Sequence, residues 1–340
     1  MENVVAAVEE RPAIRMNNLR AVPVDINWRP EMPVFASAEF LKSVGDDYGW
    51  VAGLDETGKT RCILPYTVIR KPGFRLVRFR VETIPVDGQL GLEEERSFLN
   101  SCLSYFRSIG ADMIMPAANT ALFRTYPEGA VAAEYGTFVK DLRQSEEALF
   151  NEIHSDFRKK IRSAIRAGVG IKSGPEYLDR AYEIVMDTLH RSGAKVGKKP
   201  DDFKKSLVCL GSNLKIFVAE HQDVIQACLI TGYSKYSAYT LYGGTIPQPF
   251  KGAMHLLHWD AMRQLKELGA ERFNFTGVRV HPKAGSKQEG IMLFKSRYGG
   301  PLVQGHMWKY SFRPLKSLIY SVGVKLMIGG DVVDQERAHG

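Results

Sequence analysis

The chain has 340 residues, 44% hydrophobic and 25% charged, with 46 Lys plus Arg against 38 Asp plus Glu and a formal charge of +8. At roughly 150 residues per domain this length suggests about two domains, and the composition excludes disordered, collagen-like and small disulfide-scaffold chains. The charge is unevenly placed: residues 1–143 carry 17 basic against 19 acidic side chains, while residues 144–340 carry 29 against 19, which is −2 against +10.

Residues 1–19 read as a loose leader, acidic and without an apolar run of signal-peptide length, so a cytoplasmic protein is expected. SAEFLKSV reads as a short helix with Ser37 as its N-cap. WVAGLD, RCILPYTVI and RLVRFRVETI are rich in β-branched and aromatic residues and read as strands, with KPGF as the turn between the last two. In LGLEEERSFLNSCLSYFRSIG, Phe98, Leu99, Cys102, Tyr105, Phe106 and Ile109 mark one helix face, and Gly110 stops it. ADMIMPA and GTFVKDL read as strands.

A second block opens near Ser145. Leu149, Ile153, Phe157, Ile161 and Ile165 recur every four residues and predict one long helix with a single buried stripe. Its other face carries Arg158, Lys159, Lys160, Arg162 and Arg166. Strand VGIK, helix YLDRAYEIVMDTLHRSG, the polar loop AKVGKKPDD and a short helix lead into three strands, LKIFVAE, VIQACLITGY and YSAYTLYGGT. Helix AMHLLHWDAMRQLKELGA, strand RFNFTGV, helix EGIMLFKSRYGG, strand VQGHMWKYSF and a last helix follow. The order predicts an α/β (α+β) protein of two units with mixed sheets, residues 1–143 and 144–340, the last helix reaching back to the first unit. Leu318–Ile328 is too short and too interrupted to span a bilayer, and reads as a closing core helix.

Cys62, Cys102, Cys209 and Cys228 lie far apart among apolar neighbours and read as buried free thiols. His255 and His258 form an i, i+3 pair without a third ligand, so no metal site is expected. Three places could carry chemistry. Lys251, Gly252 and Ala253 precede a helix, whose N-terminal N–H groups suit an anion, the glycine letting a ligand approach the backbone. Neither a dinucleotide nor a P-loop glycine pattern is present there. Phe294-Lys295 lies near a Gly-Gly helix stop, where an ammonium could stabilise an oxyanion of acyl transfer. The face bearing Arg158, Lys159 and Arg162 suits phosphates.

HSDFRKKIRSAIRAGVGIKSG, MHLLHWDAMRQLKELGAERFNFTGV and GIMLFKSRYGGPLV, in this order, resemble the Fem-type aminoacyltransferases of peptidoglycan bridge formation, within the Gcn5-related N-acyltransferase clan; PVFASAEFLKSV is similar to that family's N-terminal segment. The resemblance implies two acyltransferase-like domains around a cleft. It also implies transfer of an amino acid from aminoacyl-tRNA to an acceptor amine without metal or redox cofactor, with Phe294-Lys295 as the catalytic pair. Lys42 and Tyr242 fall at acceptor-binding positions. Where members that bind a nucleotide-linked muropeptide have an arginine and, four residues on, a tyrosine, this chain has Lys199 and Phe203. Lysine lacks the guanidinium fork and phenylalanine the hydroxyl. The acid often found at the end of a first-domain strand is replaced by Ile114-Met115-Pro116. These departures widen the expected acceptor from a peptidoglycan precursor to a small-metabolite amine. Two other readings stay open: an acyl-CoA-dependent N-acyltransferase, and a non-catalytic RNA- or nucleotide-binding module. In each the polyanion is expected on residues 144–340.

Overall fold

The computed structural model describes residues 18–193 and 200–338. Residues 1–17 of the expected leader lie outside these; Leu19 is buried, and its N–H donates to Ser97 Oγ. The first half runs β1 (Arg20–Val24), α1 (Ala38–Val44), β2 (Asp47–Leu54), β3 (Thr60–Lys71), β4 (Phe74–Phe79), β5 (Ile84–Pro85), α2 (Leu92–Ser108), β6 (Met113–Ile114) and β7 (Val131–Asp141). Ser37 Oγ accepts the N–H of Phe40 and starts α1 as expected. Gly73, at φ +76°, makes the tight return from β3 to β4. RLVRFRVETI is not one strand. After Phe79 the loop at 118–120 takes over the backbone partners, with Ala118 N on Phe79 O and Thr120 Oγ1 on Arg80 O, and the chain leaves the sheet.

The second half runs α3 (Glu146–Asn151), α4 (Ser155–Arg166), β8 (Gly170–Ser173), α5 (Leu178–Arg191), α6 (Pro200–Val208), β9 (Leu214–His221), β10 (Val224–Tyr233), β11 (Ala238–Thr245), α7 (Ala253–Glu267), β12 (Arg272–Val278), α8 (Lys287–Ser296), β13 (Leu302–Ser311), α9 (Pro314–Ile328) and α10 (Val332–Arg337). The long helix expected from residue 145 is broken into α3 and α4. Glu152 turns to Lys140 Nζ, 2.8 Å away, and His154 donates its N–H to Arg297 O and caps α4. Leu149, Ile153, Phe157 and Ile161 are buried, but Ile165 is exposed, and Ala164 closes the stripe instead.

Among the described residues the strands form one continuous mixed sheet, ordered β1-β2-β3-β4-β6-β13-β7-β12-β11-β10-β9-β8, with β5 on β3. β13 joins the halves: it pairs with β7 along most of its length and with β6 at Tyr310 and Ser311. β7, although it precedes residue 143, lies between β13 and β12 of the second half. α3, α4 and α7 cover one core of the second half, around Phe157, Leu257 and Phe273; α5 and α6 cover another, around Ile184, Phe203 and Cys228. α2 closes the first-half core around Phe98 and Phe106. A further core, with Phe35, Trp50 and Ile63 from the first half and Leu210 and Tyr239 from the second, seals the halves together.

α9 departs from its reading as a closing core helix, and α10 follows it. α9 reaches the first half, where Tyr320 meets Phe74 and Lys316 Nζ meets Asp112 and the carbonyl of Gly73. It is not a closing core helix: Leu315 and Leu326 are 79% and 80% exposed. The side it turns inward carries Ser317 and Tyr320 rather than its leucines. Among the described residues no helix is long and apolar enough to cross a membrane. The four cysteines are free, and Cys62, Cys102 and Cys228 are buried.

Candidate functional site

β11 and β12 run parallel but pair only at Ala238–Phe273 and Tyr239–Asn274. Beyond these pairs the strands part, and a wedge opens in the middle of the sheet. β12 also bulges there, since its register on β7 shifts between Asn274 and Gly277. Thr276 sits in the bulge at φ +55°, a strained conformation for a β-branched residue. Its N–H donates to Asn274 Oδ1 at 2.7 Å and its hydroxyl to Thr240 O at 3.0 Å, which hold it.

The bulge presents two carbonyls to α8. Lys295 Nζ donates to Thr276 O at 3.1 Å and to Gly277 O at 3.0 Å. An ammonium has three donors, so one remains. Burial pushes the pKa of Lys295 down to about 8. The ring of Phe294 goes the other way, against Phe157, His258 and Tyr298. His258 is buried, with Nδ1 3.0 Å from Met254 O, and burial pushes its pKa down to about 4; the imidazole is neutral at pH 7. His255 behaves alike, edge-on to Phe157 and down to about 4 through burial. His258 is a core histidine, and His255 is half-buried beside it.

Three cavities meet the wedge, and Asn119 lines all three. One, of about 330 Å³, lies between Thr240, Tyr242 and Thr276 of the second half and Phe40, Arg78 and Arg80 of the first. Arg78 donates to Pro116 O and Arg80 to Val44 O, with no carboxylate on either among the described residues. Burial pulls Arg80 down to about 9. A second, of about 150 Å³, is walled by Glu82, Thr137, Tyr236, Tyr239 and Asn274. A third, of about 340 Å³, lies at Gly277, Gln288 and Ile291.

The structure sorts the residues expected from sequence. Tyr242 lines the wedge cavity. Phe203 is fully buried behind it, ring centroids 4.6 Å apart, so it supports Tyr242 and is not itself at the cavity. Lys42 is exposed and lies over the Tyr48 ring; the same helix sends Phe40 and Val44 to the cavity, and a residue two positions from each faces away. Lys199 lies outside the described residues.

The basic face of α4 divides in two. Lys159 joins Lys251, together with Asp156, Lys160 and Ser163, around an open cavity of about 340 Å³. Arg158 turns to the carbonyl and side chain of Asn151, and Arg162 lies over the ring of Phe150. Gly252 and Ala253 are buried. Gly252 has φ +100°, and a Cβ on it would stand 2.5 Å from the carbonyl of Lys160. That glycine lets α4 approach, where the sequence reading has it admitting a ligand.

Glu82, Arg78, Arg80 and Asn119 escape sequence reading because they are scattered through irregular segments and a strand of the first half. Only the continuous sheet carries them to the wedge. Among the described residues no three His, Cys, Asp or Glu side chains come together as a metal site.

Residues 153–287 match the family model of the acetyltransferase (GNAT) domain. That segment holds the basic cavity, the parting strands and the bulge, so these lie in a domain of the acyltransferase class; Lys295 and the first-half cavity walls lie outside it. The fold as a whole is similar to that of FemX, which aligns at a TM-score of 0.65, with 14% identity, over 85% of this chain and 95% of its own. The C-terminal domain assigned to a lysylphosphatidylglycerol synthetase of Agrobacterium fabrum aligns at 0.51, with 16% identity, over 89% of this chain and 97% of its own. A conserved protein of unknown function from Bacteroides thetaiotaomicron aligns at 0.51, with 9% identity, over 84% and 93%. No curated protein matches the chain in sequence.

Proposed function

We propose that this acyltransferase moves an aminoacyl group from aminoacyl-tRNA to the amino group of a peptidoglycan precursor or another small acceptor, in the cytoplasm and without metal or redox cofactor. The observation that carries the reading is the wedge between β11 and β12, with the Lys295-held bulge on one wall and cavities from both halves converging on it. The donor's carbonyl lies at the wedge, and its phosphates extend to Lys159 and Lys251. Amine attack turns the ester carbonyl into a tetrahedral oxyanion. The third N–H of Lys295 meets this charge, an effect typically worth about 3 kcal/mol in the transition state. Lys295 is favoured over the two histidines because both are neutral and enclosed by aromatic rings.

The same geometry suits a smaller phosphorylated carrier, and the acetyltransferase family model favours acyl-CoA as the second reading. The donors are separated by incubating the protein with tRNA charged with radiolabelled amino acids and an amine-containing cell extract, beside a matched reaction with acetyl-CoA. Label transferred to small amines and abolished by prior RNase treatment supports the first reading. Transfer from acetyl-CoA alone supports the second. Transfer from neither leaves the non-catalytic RNA- or nucleotide-binding reading.

A further inference from the structure

The 150 Å³ cavity between the halves contains an acid without a cationic partner. Glu82 follows β4 where the chain leaves the sheet, and among the described residues no Lys or Arg lies within ion-pair distance of it. The two cations on the cavity wall are engaged: Arg124 pairs with Glu95 at 2.7 Å, and Arg272 lies over the ring of Tyr236 at 4.7 Å. The remaining wall near Glu82 is neutral, made of the Asn119 and Asn274 amides and the rings of Tyr236 and Tyr239. A carboxylate beside aromatic faces is a receptor for an organic ammonium.

The cavity is also coupled to the bulge. Thr137, on its wall, has its hydroxyl 2.7 Å from Asn274 Oδ1 and 3.1 Å from Thr276 O, the carbonyl that Lys295 holds. Thr137 and Lys295 thus meet on one carbonyl, and Thr137 shares its cavity with Glu82. The charged and titratable groups around the carboxylate are Glu95, Arg124, Arg272, Tyr236 and Tyr239. Burial raises Glu82 to about 7; the N–H groups of Glu82 itself and Leu122 oppose it, Glu95 adds to it and Arg272 opposes it. A base poised there both attracts an ammonium and takes its proton at neutral pH.

We propose that Glu82 binds the ammonium group of the acceptor in this cavity and accepts its proton, which releases the attacking amine. The inference rests on the acyl-transfer reading and adds the base that reading lacks. One proton passes from R–NH₃⁺ to the carboxylate. The nitrogen lone pair forms the C–N bond at the ester carbonyl, the C–O bond to the carrier breaks, and the second proton leaves the nitrogen for the departing oxygen. Glu82 then returns its proton to water.

The test uses the full chain with ¹³C-labelled glutamate carboxyls and methylammonium chloride as probe, against sodium chloride at equal ionic strength. One glutamate signal is expected to titrate near 7, to be missing in Glu82→Gln, and to move down by about one unit with methylammonium, because an adjacent cation favours the carboxylate. The proposal is overturned if every glutamate titrates in the ordinary range, or if methylammonium moves the midpoint no more than sodium does. In the transfer assay, Glu82→Gln is expected to lower kcat/KM by about 10²-fold and to abolish its acid limb, with partial recovery in Glu82→Asp. A Glu82→Gln protein that melts like wild type and keeps the acid limb also overturns the proposal. A methylammonium response in a protein that transfers nothing would instead sink the function reading and leave the ammonium site standing.

Discussion

Lys295 and Thr276 lie on different elements, and one hydrogen bond of 3.1 Å joins the ammonium of the first to the carbonyl of the second. Thr276 adopts φ +55° in the β12 bulge, where that carbonyl faces α8. Strain in the backbone and burial of the charge therefore meet at one contact, a combination expected at a working site.

Burial of Lys295 has a cost that pH exposes. Its pKa falls from 10.5 unfolded to about 8 folded, so between these values the unfolded chain binds the extra proton and stability rises with pH. Below about 8 the charged form is carried at a penalty. Lys295→Met is expected to match or exceed wild type in melting temperature at pH 7, and to lose the part of the rise that wild type shows between pH 8 and 10. Thermal melts across that range, compared pairwise, measure it. A variant that melts well below wild type at pH 7 would contradict the assignment.

His255 and His258 act on the acid side. Both fall from 6.5 to about 4, so the unfolded chain binds more protons in that window and stability drops as pH falls through it. Replacing His258 by Gln should flatten the loss of stability between pH 6.5 and 4, as followed by urea titration. An unchanged slope would show that the ring is protonated in the fold.

Lys140 and Glu152 predict an asymmetry. Lys140 is wholly buried and donates to Glu152 and to Tyr298 O, whereas the Glu152 side chain is 40% exposed. Glu152→Ala leaves a buried ammonium with one carbonyl, a loss of about 3–5 kcal/mol. Lys140→Met leaves a carboxylate that water can reach and should cost clearly less. Equal losses in chemical denaturation would refute the difference in burial.

The divided basic face of α4 gives the next expectation. Reversing Lys159 and Lys251 to Glu should weaken binding of the phosphorylated donor by about tenfold or more and flatten its salt dependence. Reversing Arg158 and Arg162, which face Asn151 and Phe150, should do less. Filter binding of charged tRNA over a salt series distinguishes the pairs, and a larger effect from the arginines would place the donor elsewhere.

Most of the elements were legible from local signals. The Ser37 cap, the Pro72-Gly73 return and the α2 stripe from Phe98 to Phe106 all hold, because each depends on neighbours within a few residues. The break between α3 and α4 was hidden, since Leu149, Ile153 and Phe157 keep helical spacing across it and its cause, Lys140, is distant in sequence. Phe294-Lys295 could be singled out by composition and resemblance, but its partners at Thr276 and Gly277 could not. Glu82 carried no signal, because its meaning comes from Tyr236, Tyr239 and Asn274, more than 150 residues away. α9 misled because an apolar helix with few charges reads as core whether or not a partner covers it.

The most direct test is single-turnover transfer from charged tRNA by wild type and Lys295→Met, with donor affinity measured in parallel. Lys295 acts on the oxyanion, which exists only in the transition state, so the account predicts a fall in the transfer rate of about 10²–10³-fold with donor affinity unchanged. A Lys295→Met protein that folds, binds donor and transfers at the wild-type rate would contradict it.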